Sequence, residues 1–123
     1  MYSNKVMEEF YNPQNFGVIK AASGVGKVSS NIGGEIIKIY ITVEDNTVTD
    51  AQFQTFGGVV AIAASSVATV LMKGKAISTI EKYTAMNIYE KLGDVPENKM
   101  YIVQAVVNAM HGAIDNYKRK TNK

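Results

Sequence analysis

The sequence predicts an α+β domain in which helices cover a three-stranded antiparallel sheet. Residues 35–43 alternate apolar and polar side chains, as a half-buried strand does. A turn-forming run and a second alternating segment follow directly, which is typical of an antiparallel hairpin. Long apolar helical segments then complete the chain. Because it contains no internal repeat or linker, we treat residues 1–123 as a single domain.

The chain begins with a short helix and a weak strand. Ser3 suits the N-cap of a helix that runs to Tyr11, and an Asn-Pro pair then ends it. Residues 15–30 are rich in Gly, Ser and Ala. They predict loops around a first strand near Val25–Val28.

The central hairpin has the clearest pattern. Glu35–Val43 forms its first strand, and the Glu-Asp-Asn run that follows favours a turn. Val48–Thr55 returns as the next strand, with Ala51 and Phe53 on the same face as Thr55. Together with the first strand, these segments predict an antiparallel meander.

Two helices are predicted directly after the sheet. Val59–Lys73 is apolar almost all round, which is typical of a central buried helix, and Gly74 fits its C-terminal cap. The run from Ser78 to Glu81 matches a capping box. It predicts that a short helix begins there.

Two further helices complete the prediction. Thr84 fits the N-cap of one that ends at Gly93, and Pro96 begins a long helix that continues to about Lys120. Apolar side chains form one stripe along this long helix: Ile102, Val106, Ala109, Ala113 and Tyr117.

Composition excludes several kinds of site. The chain has no cysteine and one histidine, so it provides no disulfide, no thiolate nucleophile and no cysteine-ligated zinc or iron–sulfur site of its own. The net charge is +2, and much of the positive charge stands at the C-terminal end. The rest of the chain is slightly acidic, so we expect no binding to nucleic acid. The basic residues at that end are Lys118, Arg119, Lys120 and Lys123.

Hydropathy predicts no association with a membrane. The most apolar segment, residues 59–72, is shorter than the ~20 residues of a membrane span, and it contains three hydroxyl side chains. The first residues show no apolar signal-peptide region. With no export signal, the cytoplasm is the expected location.

A Gly-rich segment, Ser23–Ser29, suggests a phosphate-binding loop at first sight. Ala21 stands where a P-loop needs its first Gly, and Val28 stands where it needs Ser or Thr after the lysine. We therefore interpret the segment as a glycine-rich turn before a strand.

Candidate catalytic groups are few. Glu44 and Asp45 are adjacent carboxylates, but turn formation explains them. His111 falls near the border of the apolar stripe, where a partly buried structural histidine is the favoured interpretation. No spacing joins His111 to Glu35, the other candidate. We therefore expect that the protein is not an enzyme.

Short segments along almost the whole chain carry a resemblance to a known family: Met1–Val6, Tyr11–Gly17, Gly34–Tyr40, Thr55–Gly57, Ala61–Ala63, Ser65-Ser66, Lys73–Lys75 and Lys99-Met100. In order and spacing they resemble the U-type iron–sulfur cluster scaffolds, the NifU N-terminal/IscU-like family. The resemblance implies an α+β fold with a three-stranded antiparallel sheet. It also implies an iron–sulfur cluster or a zinc ion as the family's cofactor.

In that family three cysteines, together with an acidic residue or a histidine, hold the cluster or the zinc ion. The family's Cys-Gly-Asp, Phe-Gly-Cys and His-Cys motifs carry these ligands. Of these ligand types, only one carboxylate is present at the matching positions here, so we expect no metal and no cofactor on this chain. The resemblance places vestigial ligand positions at Gly33, Glu35, Gly58, Tyr101 and Ile102.

The resemblance also implies a partner-binding segment. The Leu-Pro-Pro-Val-Lys run, by which the family binds its dedicated Hsp70 chaperone, falls on residues 95–99. Pro96 and Lys99 match it. They are the residues to which the resemblance assigns partner binding.

Whole-chain resemblance without the ligands predicts a scaffold homologue that works by binding other proteins. It would act as an adaptor or regulator in cluster assembly, with a cysteine desulfurase or another assembly protein as partner. A cluster shared with a partner that supplies every thiol is also open. The alternative is a small-molecule-binding or homo-oligomeric module that inherited only the fold.

That alternative makes a prediction about the vestigial site. Val59, Val60, Tyr101 and Ile102 would replace polar ligands with an apolar surface, which is typical of interfaces. Packing of the same side chains into the core is the competing interpretation, and it would leave the old site inert.

Overall fold

The computed structural model of the protein describes residues 2–122. It confirms the predicted fold class, because helices cover one face of a three-stranded antiparallel sheet. The elements, in chain order, are α1 (Asn4–Tyr11), β1 (Gly24–Ser29), β2 (Ile36–Glu44), β3 (Thr47–Phe56), α2 (Val59–Met72), α3 (Ile77–Ile80), α4 (Ala85–Leu92), a 3₁₀ turn (Glu97–Lys99) and α5 (Met100–Thr121).

The strands lie in the order β1-β2-β3, and both neighbouring pairs are antiparallel. Asp45 and Asn46 form the hairpin turn with φ angles of 51° and 60°, which fit a type I′ turn. Alternate side chains of the hairpin, among them Ile37, Ile39 and Phe53, are fully buried beneath the helices. The predicted alternation is therefore confirmed.

The first helix begins as predicted. The Oγ atom of Ser3 accepts a 3.0 Å hydrogen bond from the backbone N–H of Val6, so Ser3 is the N-cap of α1. The same hydroxyl donates to the carbonyl oxygen of Leu92 at the end of α4. Ser3 thus also fixes α1 against α4.

The helix α2 is the central helix, as its composition predicts. Ten of its 14 residues are buried, so it has partners on nearly every side. It contacts α1, β3, α4 and α5. Gly74 follows its end with a φ of 81°, a left-handed conformation that suits glycine. Within residues 2–122, no helix is long and apolar enough to cross a membrane.

The capping-box prediction at Ser78 is wrong. The helix α3 begins one residue earlier, at Ile77, and Ala76 is its N-cap. Tertiary contacts decide this start, because the N–H of Ile77 donates to the carbonyl of Asn46 and the Ile77 side chain is buried. The Glu81 carboxylate instead forms an ion pair with a lysine of α5.

The predicted first strand near Val25–Val28 is confirmed as β1, but the interpretation of the Gly-rich segment as a turn before the strand is wrong. Gly24 and Gly26 lie within β1 and are buried against α5. A Cβ on Gly26 would overlap the carbonyl oxygen of Ala109, and one on Gly24 would overlap that of Ala113. The glycines therefore let the backbone of α5 approach the strand closely.

The last helices agree with the prediction to within one turn. The side-chain oxygen of Asn87 accepts a 2.8 Å hydrogen bond from the N–H of Thr84, which caps α4. The sequence predicts a long helix from Pro96. The structure has the 3₁₀ turn first, and α5 begins at Met100 and ends at Thr121.

Candidate functional site

Three segments that are distant in sequence meet around Glu35. They are the β1–β2 loop (residues 30–35), the β3–α2 junction (residues 56–60) and the start of α5 (residues 99–102). Glu35 contacts the last of these through a hydrogen bond to Tyr101. The structure therefore brings together all five positions that the resemblance assigns to the family's ligands.

The contact between Glu35 and Tyr101 is a charge-assisted hydrogen bond. The Tyr101 hydroxyl donates to Oε2 of Glu35 at 2.8 Å. This bond raises the pKa of Tyr101 above its ordinary value of 10.0, and burial and the carboxylate's negative charge act in the same direction. The tyrosine therefore stays protonated, and able to donate, throughout the neutral range.

The second carboxylate oxygen of Glu35 is in an unusual position. Glu35 is only 8% exposed, and Oε1 has no hydrogen-bond partner among the described residues. Beside it lies a cavity of about 60 Å³, which has room for only a few water-sized groups. The cavity is lined by Tyr2, Glu35, Gly58, Val59, Val60, Lys99 and Ile102.

Glycines leave the space that Glu35 and Tyr101 fill. A Cβ on Gly33 would lie 2.8 Å from Oε1 of Glu35 and would overlap the Tyr101 hydroxyl. A Cβ on Gly57 would lie 3.1 Å from Cγ of Glu35. Gly58 differs, because no described atom lies within 4 Å of its Cβ position. A larger residue thus fits at position 58, but not at position 33 while Glu35 and Tyr101 make their contact.

The predicted apolar surface is wrong for two of its four residues. Val60 and Ile102 are buried members of the main hydrophobic core. Val59 and Tyr101 are half-buried and pack against that core. Helix direction explains the difference, since Val60 and Ile102 stand in the first turns of α2 and α5 and face the interior between them. The packing interpretation is the one that fits these residues.

The residues assigned to partner binding lie beside the same cavity. Pro96 precedes the 3₁₀ turn, and its carbonyl accepts a 2.8 Å hydrogen bond from the N–H of Lys99. Lys99 lines the cavity, and both residues are partly exposed. Their role in binding a chaperone stays a prediction.

The other candidate groups do not join this site. Nε2 of His111 lies 3.2 Å from the carbonyl oxygen of Ile80, and the ring is half-buried, as a structural histidine would be. Glu44 and Asp45 are exposed at the β2–β3 turn.

Sequence reasoning missed the surface around the site. Ile32 is 75% exposed and Phe56 is 73% exposed, and Met100 is exposed at the start of α5. These three residues are here called the rim. Along the chain, each lies within two positions of a ligand position of the family, namely Gly33, Gly58 or Tyr101. The alternation of β3 contained the signal for one of them, because Phe56 pairs with Ile36 on the outer face of the sheet.

The donor set does not fit a cluster or a structural zinc ion. Such groups need several thiolate or imidazole ligands, and the chain has no cysteine. Within residues 2–122, no group of three or more His, Asp or Glu side chains is placed to hold a metal ion. At the five ligand positions the family's cofactor would find one carboxylate, that of Glu35. This carboxylate already accepts the hydrogen bond of Tyr101.

Comparison with known proteins identifies relatives over the whole length. The family model for the NifU-like N-terminal domain matches residues 1–123. The iron–sulfur cluster assembly scaffold protein IscU 1 of Archaeoglobus fulgidus is 45% identical over 123 residues, which are 100% of this chain and 80% of that protein. The IscU scaffold protein of Aquifex aeolicus is 35% identical over 124 residues, covering 99% of this chain and 79% of the relative.

Solved structures show the same fold at low sequence identity. A cluster assembly scaffold protein for the SUF system of Fervidobacterium islandicum superposes with a TM-score of 0.78 at 17% identity, covering 92% of this chain and 96% of the other. The N-terminal part of a NifU-like protein of Brucella abortus gives 0.72 at 16% identity, covering 98% and 94%. The chain belongs to the NifU-like N-terminal domain family, as a member without the cluster-binding cysteines.

Proposed function

We propose that this protein acts in iron–sulfur cluster assembly by binding another assembly protein, as an adaptor or regulator, and that it carries no cluster itself. The observation that carries the proposal is the Glu35–Tyr101 contact, which fills the position of the ligands while the rim stays exposed. Its relatives are cluster assembly scaffolds, which supports this pathway.

The rim supports a binding role. Ile32, Phe56 and Met100 expose apolar side chains on the three segments that converge at Glu35. Exposed apolar side chains clustered on a polar surface mark protein interfaces. We propose a cysteine desulfurase as the partner, because the resemblance of this chain to the scaffold family implies that enzyme.

The chain is proposed to have no catalytic activity of its own. The Glu35 carboxylate accepts the hydrogen bond of Tyr101, and the His111 ring contacts the backbone carbonyl of Ile80 in α3. Tyr2 and Lys99 line the cavity with Glu35, but no described Ser, Thr, His or second carboxylate does.

Calorimetric titration with a purified cysteine desulfurase tests the partner. We expect binding in about the micromolar range. The double variant Ile32→Ser/Phe56→Ser should weaken it at least about tenfold, because apolar anchors dominate interfaces. Val70→Ser is the matched control, since Val70 is 51% exposed and stands about 16 Å from the start of α2 along the helix axis. Absence of binding by the unaltered chain contradicts the proposed partner.

Anaerobic reconstitution tests the cluster-free part of the proposal. The chain and a cysteine-bearing relative are each incubated with iron and sulfide and then desalted. Only the relative should keep cluster absorbance, because one carboxylate cannot replace thiolates. A stable cluster on this chain alone would overturn this part, while leaving the partner to be judged by the titration.

Self-association through the rim is the second candidate, because the same exposed side chains also suit a second copy of the chain. Light scattering during size exclusion measures the molar mass and so distinguishes self-association from binding to another protein. A dimer that the Ile32→Ser/Phe56→Ser variant abolishes favours self-association. A small-molecule function at this site is not proposed, since the cavity of about 60 Å³ is far smaller than the hundreds of cubic ångströms typical of ligand pockets.

A further inference from the structure

Among residues 2–122, one side-chain hydrogen bond joins the β1–β2 loop to α5. The other hydrogen bonds described for residues 30–34 stay within the loop. The N–H of Gly34 donates to the carbonyl of Ser30, and the Ser30 hydroxyl accepts from the N–H of Ile32. Glu35 ends the loop, and its hydrogen bond to Tyr101 is what reaches the helix.

Two features of the Glu35–Tyr101 hydrogen bond favour its reversible breaking. The closed state gains a charge-assisted hydrogen bond at Oε2, but it buries Oε1 with no partner among the described residues. A half-satisfied buried carboxylate is costly, so returning it to water offsets much of the loss when the bond breaks. Gly34, beside Glu35, has a φ of 76°, and glycine gives the loop freedom to move there.

We propose that the Glu35–Tyr101 contact is a latch, which holds the β1–β2 loop closed over the cavity at the start of α2. When the latch is released, the loop opens locally and the rest of the fold stays intact. Opening withdraws Glu35 from the cavity that Gly58 and Val59 also line at the start of α2. The inference concerns the isolated chain and is independent of the proposed partner.

Amide hydrogen exchange of the full chain tests the latch. The N–H of Ser30 donates to the carbonyl of Glu35, the latch residue, and the N–H of Gly34 donates to the carbonyl of Ser30. The opening that we propose is a local unfolding of the loop, which breaks both bonds, so the exchange of these two amides reports it. In Tyr101→Phe we expect both to exchange about tenfold faster, as loss of a charge-assisted bond implies. Amides of residues 103–107, inside α5, should keep their rates.

Tyr83→Phe is the matched control, because it also removes the hydroxyl of a half-buried tyrosine. That hydroxyl donates to the carbonyl oxygen of Leu71 at 3.0 Å, away from the loop. The control should therefore leave the exchange of Ser30 and Gly34 unchanged.

A second pair of variants keeps the test decisive if Tyr101→Phe does not fold. Glu35→Gln keeps an oxygen acceptor for Tyr101 and should keep the loop protected, whereas Glu35→Ala should open it. The proposal is overturned if the loop exchanges as in the unaltered chain in both Tyr101→Phe and Glu35→Ala. It is equally overturned if exchange rises by the same factor inside α5, or if Glu35→Ala unfolds the chain, since the contact then supports the whole fold.

Discussion

The α-carbon of Gly26 in β1 lies against the backbone of Ala109 in α5, with no space for a methyl group between them. A Cβ added to Gly112 of α5 would lie 3.5 Å from the α-carbon of the same glycine. The strand and the helix are therefore packed backbone to backbone, closer than side chains at these positions would permit.

Gly26→Ala should be one of the most destabilising single substitutions in the chain. The added Cβ would overlap the Ala109 carbonyl oxygen, which belongs to helix backbone and cannot rotate away. We expect the free energy of unfolding to fall by about 3 kcal/mol or more. Chemical denaturation measures it. Gly58→Ala is the control, since its Cβ position is open, and it should cost about 1 kcal/mol or less. Equal losses would show that the close packing is not what requires glycine.

Val60→Asp and Ile102→Asp should unfold the protein. Both side chains are buried in the main core, and a lone buried carboxylate there costs about 4 kcal/mol or more. Circular dichroism and size exclusion measure the result. Val70→Asp, on the exposed side of α2, should cost about 1 kcal/mol or less. If the unaltered chain is an oligomer and either core variant is a folded monomer, these residues belong to an interface instead.

Alkaline pH should weaken the fold through Tyr101. Its pKa is raised in the folded state, so its hydrogen bond contributes fully below about pH 10 and is lost as pH rises through the folded-state value. Burial raises the pKa values of Tyr83 and Tyr89 in the same direction. Thermal unfolding between about pH 9 and 12 measures the loss. Tyr101→Phe should be less stable near neutrality and lose less above pH 10; parallel curves for the two proteins would contradict this account.

Restoring only the three cysteines should not restore a good metal site. By the family resemblance they belong at positions 33, 58 and 102, and a Cβ at position 33 collides with Glu35 and Tyr101. Adding Glu35→Asp and Tyr101→His shortens one side chain and replaces the other with a ligand. We expect the five-residue variant to bind zinc about 10- to 100-fold more tightly than the three-cysteine variant.

Competition with a chromophoric chelator measures both zinc affinities. The unaltered chain is the baseline, and Gly58→Cys alone tests whether the open position accepts the thiol without loss of stability. Equal affinities for the two multiple variants would show that the Glu35–Tyr101 contact yields readily to cysteine.

Local patterns predicted most of the fold, because they act within a few residues. The alternation of 35–43 gives β2, and the hydroxyl groups of Ser3 and Thr84 mark two helix starts. Where tertiary contacts decide, local patterns failed. The capping box at Ser78 does not begin α3, because the backbone hydrogen bond between Ile77 and Asn46 fixes the start one residue earlier.

The candidate site shows the same division. The family resemblance placed its five positions, since spacing along the chain is visible in a sequence. The hydrogen bond between Glu35 and Tyr101 was not predictable from spacing, because the two residues are 66 positions apart. The steric roles of Gly26 and Gly33 likewise depend on which atoms of distant segments lie opposite them.

The contact that closes the site consists of a carboxylate and a phenol, and neither group is oxidised by peroxide or disulfide exchange as a thiolate is. Oxidants and chelators that strip a thiolate-bound metal therefore have no target in it. The side-chain hydrogen bond that joins the β1–β2 loop to α5 therefore needs neither a thiol nor a metal ion.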